Sequence, residues 1–217
     1  MLQLKTFVFN PFYENTYLLF DDTSECIIID PGCFITDEQQ ELASFIEEKQ
    51  LKPVRLINTH CHLDHVLGNN FVSSRWNLGL EIPVNEQSVL DRYELSCQLY
   101  GIPGDLQPPV AKHIEENETI TFGRTTLEII SAPGHSPGHF CYYHPSTALL
   151  IGGDVLFRES VGRTDLPGGN TAQLMQSIKE KLFTLPENTT VYPGHGPSTT
   201  IGHEKINNPF AGQKAVY

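Results

Sequence analysis

Short apolar runs alternate with segments of helical periodicity in the first sixty residues. The runs TYLLFDD and ECIIIDPG predict two neighbouring strands with a short turn between them, and Pro31-Gly32 ends the second. The stretch ITDEQQELASFIEEKQ predicts a helix because its apolar residues share one face, and Thr36 with Gln39 fits a capping box. PVRLINTH predicts a further short, buried strand.

The later part of the chain shows the same alternation. Residues 67–99 predict helix, short strand (LEIPVN) and helix, and the Gly- and Pro-rich stretch 100–110 predicts a surface loop. ETITFGRTTLEIISAPG indicates a hairpin around Gly123, and HFCYYH with TALLIGGD indicates another strand pair. NTAQLMQSIKEKLFTLP predicts a helix capped by Asn170, and TTVYPGHG a last strand. These elements predict an α/β fold with mixed sheets and helices outside, in one domain spanning residues 1–217.

Composition narrows the function classes. The formal net charge is −12 and there is no Lys/Arg run, so we expect no nucleic-acid partner. No apolar run reaches the roughly 20 residues that cross a bilayer, and the N-terminus does not resemble a signal peptide. The five cysteines form no CxxC pair, which favours buried thiols in a reducing compartment, the cytoplasm. Cys61 is expected to point away from its histidine neighbours.

Residues 59–65 read THCHLDH and concentrate metal-binding side chains at the end of a predicted strand. His60 and His62 are two apart and face the same side of an extended segment, while Asp64 and His65 face a second point as a helix begins. Three further strand ends supply ligand-type residues beside glycines, namely His135, Asp154 and His195. Buried, unpaired histidine and aspartate are unfavourable, so their recurrence predicts a common metal centre. His139 is expected to support this centre by hydrogen bonding.

THCHLDH, together with GH at 134–135, GD at 153–154 and GH at 194–195, resembles the motif set of the metallo-β-lactamase superfamily. The resemblance covers essentially the whole chain. It implies an αββα four-layer sandwich of two mixed β-sheets with the metals at one edge. It also implies two divalent metal ions: one bound by His60, His62 and His135, the other by Asp64, His65 and His195, with Asp154 bridging them. Zinc is the expected metal, with iron and manganese as alternatives.

The stretches LFRESVGRTDLPGGN and EKINNPF resemble the short bacterial glyoxalase II-like group. This implies hydrolysis of a thioester, S-lactoylglutathione or a related small acyl-thiol, by metal-activated water, with Asp64 as the catalytic residue that orients the water or takes its proton. Longer members add a C-terminal helical domain that binds glutathione, for which the segment after His195 is too short, so the thiol carrier stays open. The oligomeric state and the role of the loop 100–110 are open as well.

Two further side chains are candidates for substrate binding. Arg163 either contacts an anionic part of the substrate or forms a loop-fixing ion pair with Asp165. Tyr143 either lines the cleft or packs in the core, since adjacent strand residues face opposite sides.

Three other functions remain as alternatives. A mononuclear-iron persulfide dioxygenase shares much of the motif pattern and would bind its iron through His60, His135 and Asp154. A lactonase would use the bridging carboxylate. A non-enzymatic binding protein stabilised by metal would have a closed, four-coordinate site.

Overall fold

The computed structural model describes residues 1–215. The chain divides into two compact units, which we call unit 1 (residues 1–115 and 121–126) and unit 2 (residues 116–120 and the chain from 127 onward). Each unit contributes its own hydrophobic core. In the described residues no helix is both long enough and apolar enough to span a bilayer.

Unit 1 is built on a six-stranded mixed sheet. Its strands are Gln3–Phe9 (β1), Glu14–Phe20 (β2), Glu25–Ile29 (β3), Lys52–Ile57 (β4), Leu80–Pro83 (β5) and Val110–Ile114 (β6). The order is sequential, β1-β2-β3-β4-β5-β6, with antiparallel pairing up to β3 and parallel pairing from β3 to β6. The helices are Thr36–Glu48 (α1), Leu63–Val66 (α2), Asn69–Trp76 (α3), Gln87–Leu90 (α4) and Tyr93–Tyr100 (α5), with a 3₁₀ turn at Val84–Glu86.

The strands β2 and β3 are buried along nearly their whole length, and each contains one of the apolar stretches, YLLF and CIII, that predicted a strand. Since β3 and β4 are parallel, the residues that follow them leave the sheet at the same edge. Asp30 follows β3 and the THCHLDH stretch follows β4, so the topology of unit 1 brings these two segments together.

Helix α1 was predicted correctly, but its predicted capping box was wrong. Thr36 is the first helical residue and Ile35 precedes the helix. The capping acceptor is Glu38, whose carboxylate accepts hydrogen bonds from Phe34 N (2.7 Å) and from Asn10 N (2.8 Å). A carboxylate in the first turn also interacts favourably with the helix dipole, so Glu38 performs the task assigned to the Thr36 and Gln39 pair.

Unit 2 contains a small hairpin and most of a second six-stranded mixed sheet, whose first turn with its flanking residues (121–126) belongs to unit 1. Its strands are Thr119–Phe122 (β7), Thr125–Ser131 (β8), Phe140–His144 (β9), Leu149–Gly153 (β10), Leu156–Phe157 (β11), Ser160–Val161 (β12), Thr190–Pro193 (β13) and Thr199–Thr200 (β14). The large sheet has the order β14-β13-β10-β9-β8-β7, and β11 and β12 form a separate two-stranded antiparallel sheet. The helices are Thr171–Glu180 (α6) and Ile201–Asn207 (α7), with 3₁₀ turns at Pro145–Thr147 and Leu182–Thr184.

The sheet of unit 2 confirms the hairpin around Gly123 and the β9–β10 pair. The Asn170 cap is confirmed too, because its side chain accepts a hydrogen bond from Gln173 N at 3.0 Å. TTVYPGHG is not the last strand, since β14 and α7 follow it. Two mixed sheets with helices confirm the predicted α/β class.

Strands β10 and β13 are parallel, so their carboxyl ends meet at one edge of the sheet. Gly194 N donates to Gly153 O at 2.8 Å and joins the two ends. Asp154 and His195 each follow these glycines directly, so two predicted ligands emerge side by side.

Candidate metal centre

The predicted donors of unit 1 lie together in the segment after β4 and in the first turn of α2. The His60 ring centroid is 4.8 Å from that of His62 and 4.1 Å from that of His65. Asp64 Oδ2 lies 3.6 Å from His65 Nε2. His60 and His65 are fully buried, whereas His62 and Asp64 are partly exposed. We call these four residues the unit 1 donors.

Asp30 fixes the histidines His60 and His65. Its Oδ2 accepts hydrogen bonds from Thr59 Oγ1 (2.6 Å) and from His65 Nδ1 (3.1 Å), and its Oδ1 accepts one from Thr59 N (2.6 Å). Because the Thr59 hydroxyl donates to Asp30, it accepts from His60 Nδ1 at 3.0 Å. Both imidazoles therefore carry their proton on Nδ1, which places the lone pair on Nε2, the atom that would bind a metal.

Two other carboxyl groups of unit 1 are fully buried near these donors. Glu86 Oε2 accepts a hydrogen bond from Cys61 N at 2.9 Å and so anchors the middle of the histidine segment. Glu14 Oε1 lies 3.9 Å from His65 Nδ1. Burial raises the pKa of Glu14 well above its ordinary value, and the neighbouring Asp30 carboxylate adds to the shift. None of Asp30, Glu14 and Glu86 was predicted from the sequence.

Cys61 points into the hydrophobic core of unit 1 and is 2% exposed, as its predicted spacer role requires. Burial raises the pKa of its thiol well above the ordinary value, with a further contribution from Glu86. The other cysteines are buried as well, and no disulfide joins any of the five within residues 1–215.

The predicted donors of unit 2 also lie together. Asp154 Oδ2 is 3.5 Å from His135 Nε2 and 3.6 Å from His195 Nε2. The Arg163 carbonyl accepts a hydrogen bond from His135 Nδ1 at 2.8 Å, which leaves the lone pair of this ring on Nε2. We call His135, Asp154 and His195 the unit 2 donors.

Glycines allow the close approaches around the unit 2 donors. Gly134 has φ of 132°, and a side chain there would overlap the Leu174 backbone in the first turn of α6. A side chain at Gly162 would overlap the Asp154 carbonyl. His139 supports the same residue, because Asp154 N donates to His139 Nε2 at 3.0 Å, which confirms its predicted hydrogen-bonding role.

The donor distances fit a bound divalent ion. Zinc ligands lie about 2.0–2.2 Å from the metal, so two ligand atoms at a tetrahedral angle are about 3.4 Å apart. The separations within the two donor sets are 3.5 and 3.6 Å. Imidazole nitrogen and carboxylate oxygen are borderline to hard ligands, which suit zinc, iron and manganese alike.

The candidate substrate residues occupy different environments. Arg163 forms a bidentate ion pair with Asp165, with both nitrogen–oxygen distances at 2.7 Å. Its hydrogen bonds lower the pKa of the Asp165 carboxyl to about 2, and both side chains are more than half exposed. Tyr143 is 6% exposed and belongs to the hydrophobic core of unit 2, which is the position that the packing alternative predicts.

Most of the chain, including these donors, matches a known protein family. The model of the metallo-beta-lactamase superfamily matches residues 9–195. The chain belongs to the metallo-β-lactamase superfamily. The match begins in β1 and ends at His195, so it includes all seven donors of both units.

Relatives in this superfamily carry several names. The chain is 40% identical to the probable metallo-hydrolase YqgX of Bacillus subtilis over 203 residues, which cover 92% of this chain and 93% of YqgX. It is 36% identical to the hydroxyacylglutathione hydrolase GloC of Haemophilus influenzae, covering 94% and 95% of the two chains. It is 34% identical to human mitochondrial persulfide dioxygenase ETHE1, covering 89% of this chain and 70% of ETHE1.

Two solved structures agree with the fold. The BLEG-1 B3 metallo-beta-lactamase superposes with a TM-score of 0.88 at 36% identity, covering 96% of this chain and 99% of BLEG-1. TTHA1623 in a di-iron-bound form superposes with a TM-score of 0.85 at 34% identity, covering 95% and 99%. These matches confirm the metallo-β-lactamase fold implied by the motifs.

Proposed function

We propose that this superfamily member is a dinuclear metal-dependent hydrolase of a small acyl-thiol, with S-lactoylglutathione as the first substrate to test. The proposed first metal is bound by His60, His62 and His135, the second by Asp64, His65 and His195, and Asp154 contacts both. The proposal gives zinc priority, and the di-iron form of TTHA1623 makes iron the first alternative.

The observation that carries this proposal is the position of Asp154. A single carboxylate oxygen, Oδ2, lies at nearly equal distances (3.5 and 3.6 Å) from the Nε2 atoms of two histidines. One oxygen between two imidazole lone pairs is suited to bridging two cations, each of which takes one histidine. The oriented pair of His60 and His65 in unit 1 supports the same interpretation, since Asp30 prepares both rings as ligands.

When bound, two divalent metals supply a water that is acidic enough to ionise near neutral pH and a Lewis acid for the carbonyl oxygen. Asp64 lies beside His65 at the start of α2, and its partly exposed carboxylate is within reach of water, so it orients that water or takes its proton. A thiol has a pKa of about 8.5 and leaves as the thiolate. The residues therefore do not need to provide a general acid.

Two relatives with different named activities bear on the choice of substrate. GloC is named a hydroxyacylglutathione hydrolase and matches along nearly its whole length. ETHE1 is named a persulfide dioxygenase and matches over 70% of its length, so iron-dependent persulfide oxidation is the second candidate. That reaction would use His60, His135 and Asp154 alone as metal ligands. It gives no ligand role to His65, which Asp30 orients, or to His195, which lies beside Asp154.

In this proposal Arg163 contacts an anionic part of the substrate. Its guanidinium is half exposed, and its main-chain carbonyl accepts a hydrogen bond from the His135 ring, so the residue lies beside the proposed metal site. In Arg163→Ala the KM should rise while the melting temperature stays within a few degrees of the wild-type value. A large loss of stability with unchanged KM would assign Arg163 to the loop ion pair alone.

The proposed setting is the cytoplasm, supported by five buried cysteines that form no disulfide in residues 1–215. The partner is a small molecule, and the acidic net charge of −12 argues against nucleic acid.

The deciding experiment measures thiol release from S-lactoylglutathione by zinc-reconstituted protein, together with the metal content of each sample. The test variant is His135→Ala, and the matched control is His144→Ala, which removes a surface histidine bonded to Thr147. We expect rapid turnover with about two metals per chain in the wild type and the control, and loss of both quantities in His135→Ala. About one iron per chain with oxygen uptake on a persulfide, and no thioester turnover, would replace the proposal with the dioxygenase.

A further inference from the structure

The hairpin β11–β12 with its flanking residues, 155–162, contacts or adjoins all three unit 2 donors. Asp154 directly precedes it, and Gly162 N closes its base by donating to Val155 O at 3.2 Å. Arg163, the next residue, accepts the hydrogen bond from His135 Nδ1. The Phe157 ring packs edge-on to the His195 ring at a centroid distance of 6.3 Å. We call residues 155–162 the donor hairpin.

The tip of the donor hairpin is strained. Glu159 has φ of 57°, in the left-handed region that a non-glycine residue adopts only at an energetic cost. Such a conformation persists when neighbouring groups hold it. Both holding groups come from α7: Glu204 Oε2 accepts from Glu159 N at 2.9 Å, and His203 Nε2 lies 2.9 Å from Glu159 Oε1.

Glu204 joins the hairpin tip to two other segments. Its fully buried carboxylate accepts hydrogen bonds from Thr199 Oγ1 (2.5 Å) and from Asn208 Nδ2 (2.8 Å) in addition to Glu159 N. Asn208 Nδ2 also donates to Ser160 O at 3.0 Å, so it contacts the same hairpin tip. Thr199 begins β14 and ends the short loop that carries His195.

One buried carboxylate thus ties the loop of His195 to the hairpin that follows Asp154 and precedes Arg163. We infer that Glu204 is a positioning residue, which sets the separations among His135, Asp154 and His195 without contacting any of them. The inference rests on the proposed function in one respect, namely that these three side chains bind metal. It does not depend on the identity of the substrate.

A purely structural role predicts a different result. If Glu204 only stabilised α7, its removal would lower the melting temperature of the metal-free protein, but the folded fraction would bind zinc normally. A positioning role predicts weaker zinc binding by the folded protein itself, because groups that orient metal ligands typically change affinity by about 10–100-fold.

The test uses the full chain and zinc alone as the probe. Glu204→Ala removes all three hydrogen bonds, whereas Glu204→Gln keeps an oxygen for Glu159 N and Asn208 Nδ2 and offers an amide to the Thr199 hydroxyl. Ile206→Ala is the matched control on the exposed side of α7. Zinc affinity is measured by chelator competition at a temperature where the metal-free variant is folded, as judged by its own melting curve. Thr199→Val, which keeps the side-chain shape and removes one hydrogen bond, serves if Glu204→Ala does not fold.

We expect at least a tenfold loss of zinc affinity in Glu204→Ala, a smaller loss in Thr199→Val, and values near wild type in Glu204→Gln and Ile206→Ala. Unchanged zinc affinity in folded Glu204→Ala, or in Thr199→Val if the former is unfolded, overturns the inference. The thioester assay is separate. A wild type that binds zinc but releases no thiol refutes the proposed substrate, while the comparison of zinc affinities still decides the role of Glu204.

Discussion

Asp30→Asn is the sharpest perturbation of the unit 1 donors. Asp30 has φ of 51°, a left-handed conformation that asparagine tolerates well, so the substitution leaves the backbone unstrained. Its effect is confined to hydrogen bonding. The carboxylate accepts bonds at 2.6 Å from Thr59 N, 2.6 Å from Thr59 Oγ1 and 3.1 Å from His65 Nδ1, spread over both oxygens. An amide has a single acceptor oxygen and cannot replace all three.

Either orientation of the introduced amide disturbs a different group. With its nitrogen in the Oδ1 position, two donors face each other at Thr59 N. With its nitrogen in the Oδ2 position, His65 Nδ1 must become an acceptor, which places the ring proton on Nε2, the proposed ligand atom. The Thr59 hydroxyl must also reverse, and this would push the proton of His60 toward Nε2 in the same way.

The magnitude follows from these bonds. A hydrogen bond to a charged group contributes about 1.5–3 kcal/mol, and loss of a group that orients a ligand lowers metal affinity by about 10–100-fold. Because His60 and His65 are assigned to different metals, we expect both zinc dissociation constants to rise by at least about tenfold. Weaker binding of both zinc ions would distinguish Asp30 from a residue that orients the ligands of one metal only.

The assay is zinc titration of metal-free protein against a chromophoric chelator, with the melting temperature of each metal-free sample measured alongside. Asp37→Asn, which makes the same change of charge at an exposed position, is the control. Wild-type zinc affinity for both equivalents in Asp30→Asn, with full thiol release, would refute the reasoning from tautomers.

Four smaller predictions concern stability and reactivity. Burial raises the pKa of Asp21, but hydrogen bonds from Thr23, Arg124 and Thr125 outweigh burial and lower the pKa to about 2. The ionised carboxylate therefore stabilises the folded protein above about pH 4, the pKa in the unfolded chain. This stabilisation is lost as the pH falls toward 2. Asp21→Asn should therefore destabilise the protein by about 2 kcal/mol in urea titrations at pH 6 and by progressively less from pH 4 to pH 2. Asn170→Ala should lower the free energy of unfolding by about 1 kcal/mol, because the cap on α6 is lost. Gly162→Ala should weaken zinc binding, since the new methyl group overlaps the Asp154 carbonyl. Cys61 should resist iodoacetamide at pH 8 in the native protein and react only after unfolding, as peptide mass spectrometry would show.

Each of these four predictions can be contradicted by a specific result. A pH-independent difference between wild type and Asp21→Asn would remove the depressed pKa as the cause. Unchanged urea midpoints for Asn170→Ala, normal zinc affinity for Gly162→Ala, or rapid labelling of native Cys61 would contradict the corresponding contact or burial.

The sequence reveals the strands whose apolar runs are continuous and the donors that stand at strand ends. It does not reveal β1 or β6. The first half of β1 shows no regular alternation of buried and exposed positions. β6 does alternate, but Lys112 occupies one of its half-buried positions, so the apolar pattern that would indicate a strand is interrupted. The Thr36 and Gln39 capping box was wrong for a related reason. Glu38 is held by Asn10 N, a contact between residues far apart in sequence that no local pattern contains.

The proposed metal donors could be singled out in the sequence because their residue types are chemically distinctive. Their supporting groups are not distinctive in sequence. Asp30 looks like an ordinary strand terminus, and its one signal is that it ends the strand before the histidine-bearing strand. Glu204 lies in the stretch EKINNPF, whose resemblance marks it without indicating its role, since its three hydrogen-bond partners come from separate segments.

The hydrogen bond that orients His135 is accepted by the main chain of Arg163, not by its side chain. Every amino acid offers that carbonyl, so position 163 can exchange its side chain while the imidazole keeps its orientation. If Arg163 contacts the substrate as proposed, its outward-facing side chain could be changed to suit different substrate anions while His135 keeps its orientation. A library restricted to position 163 would be a direct route to altered selectivity in an enzyme that keeps its metals.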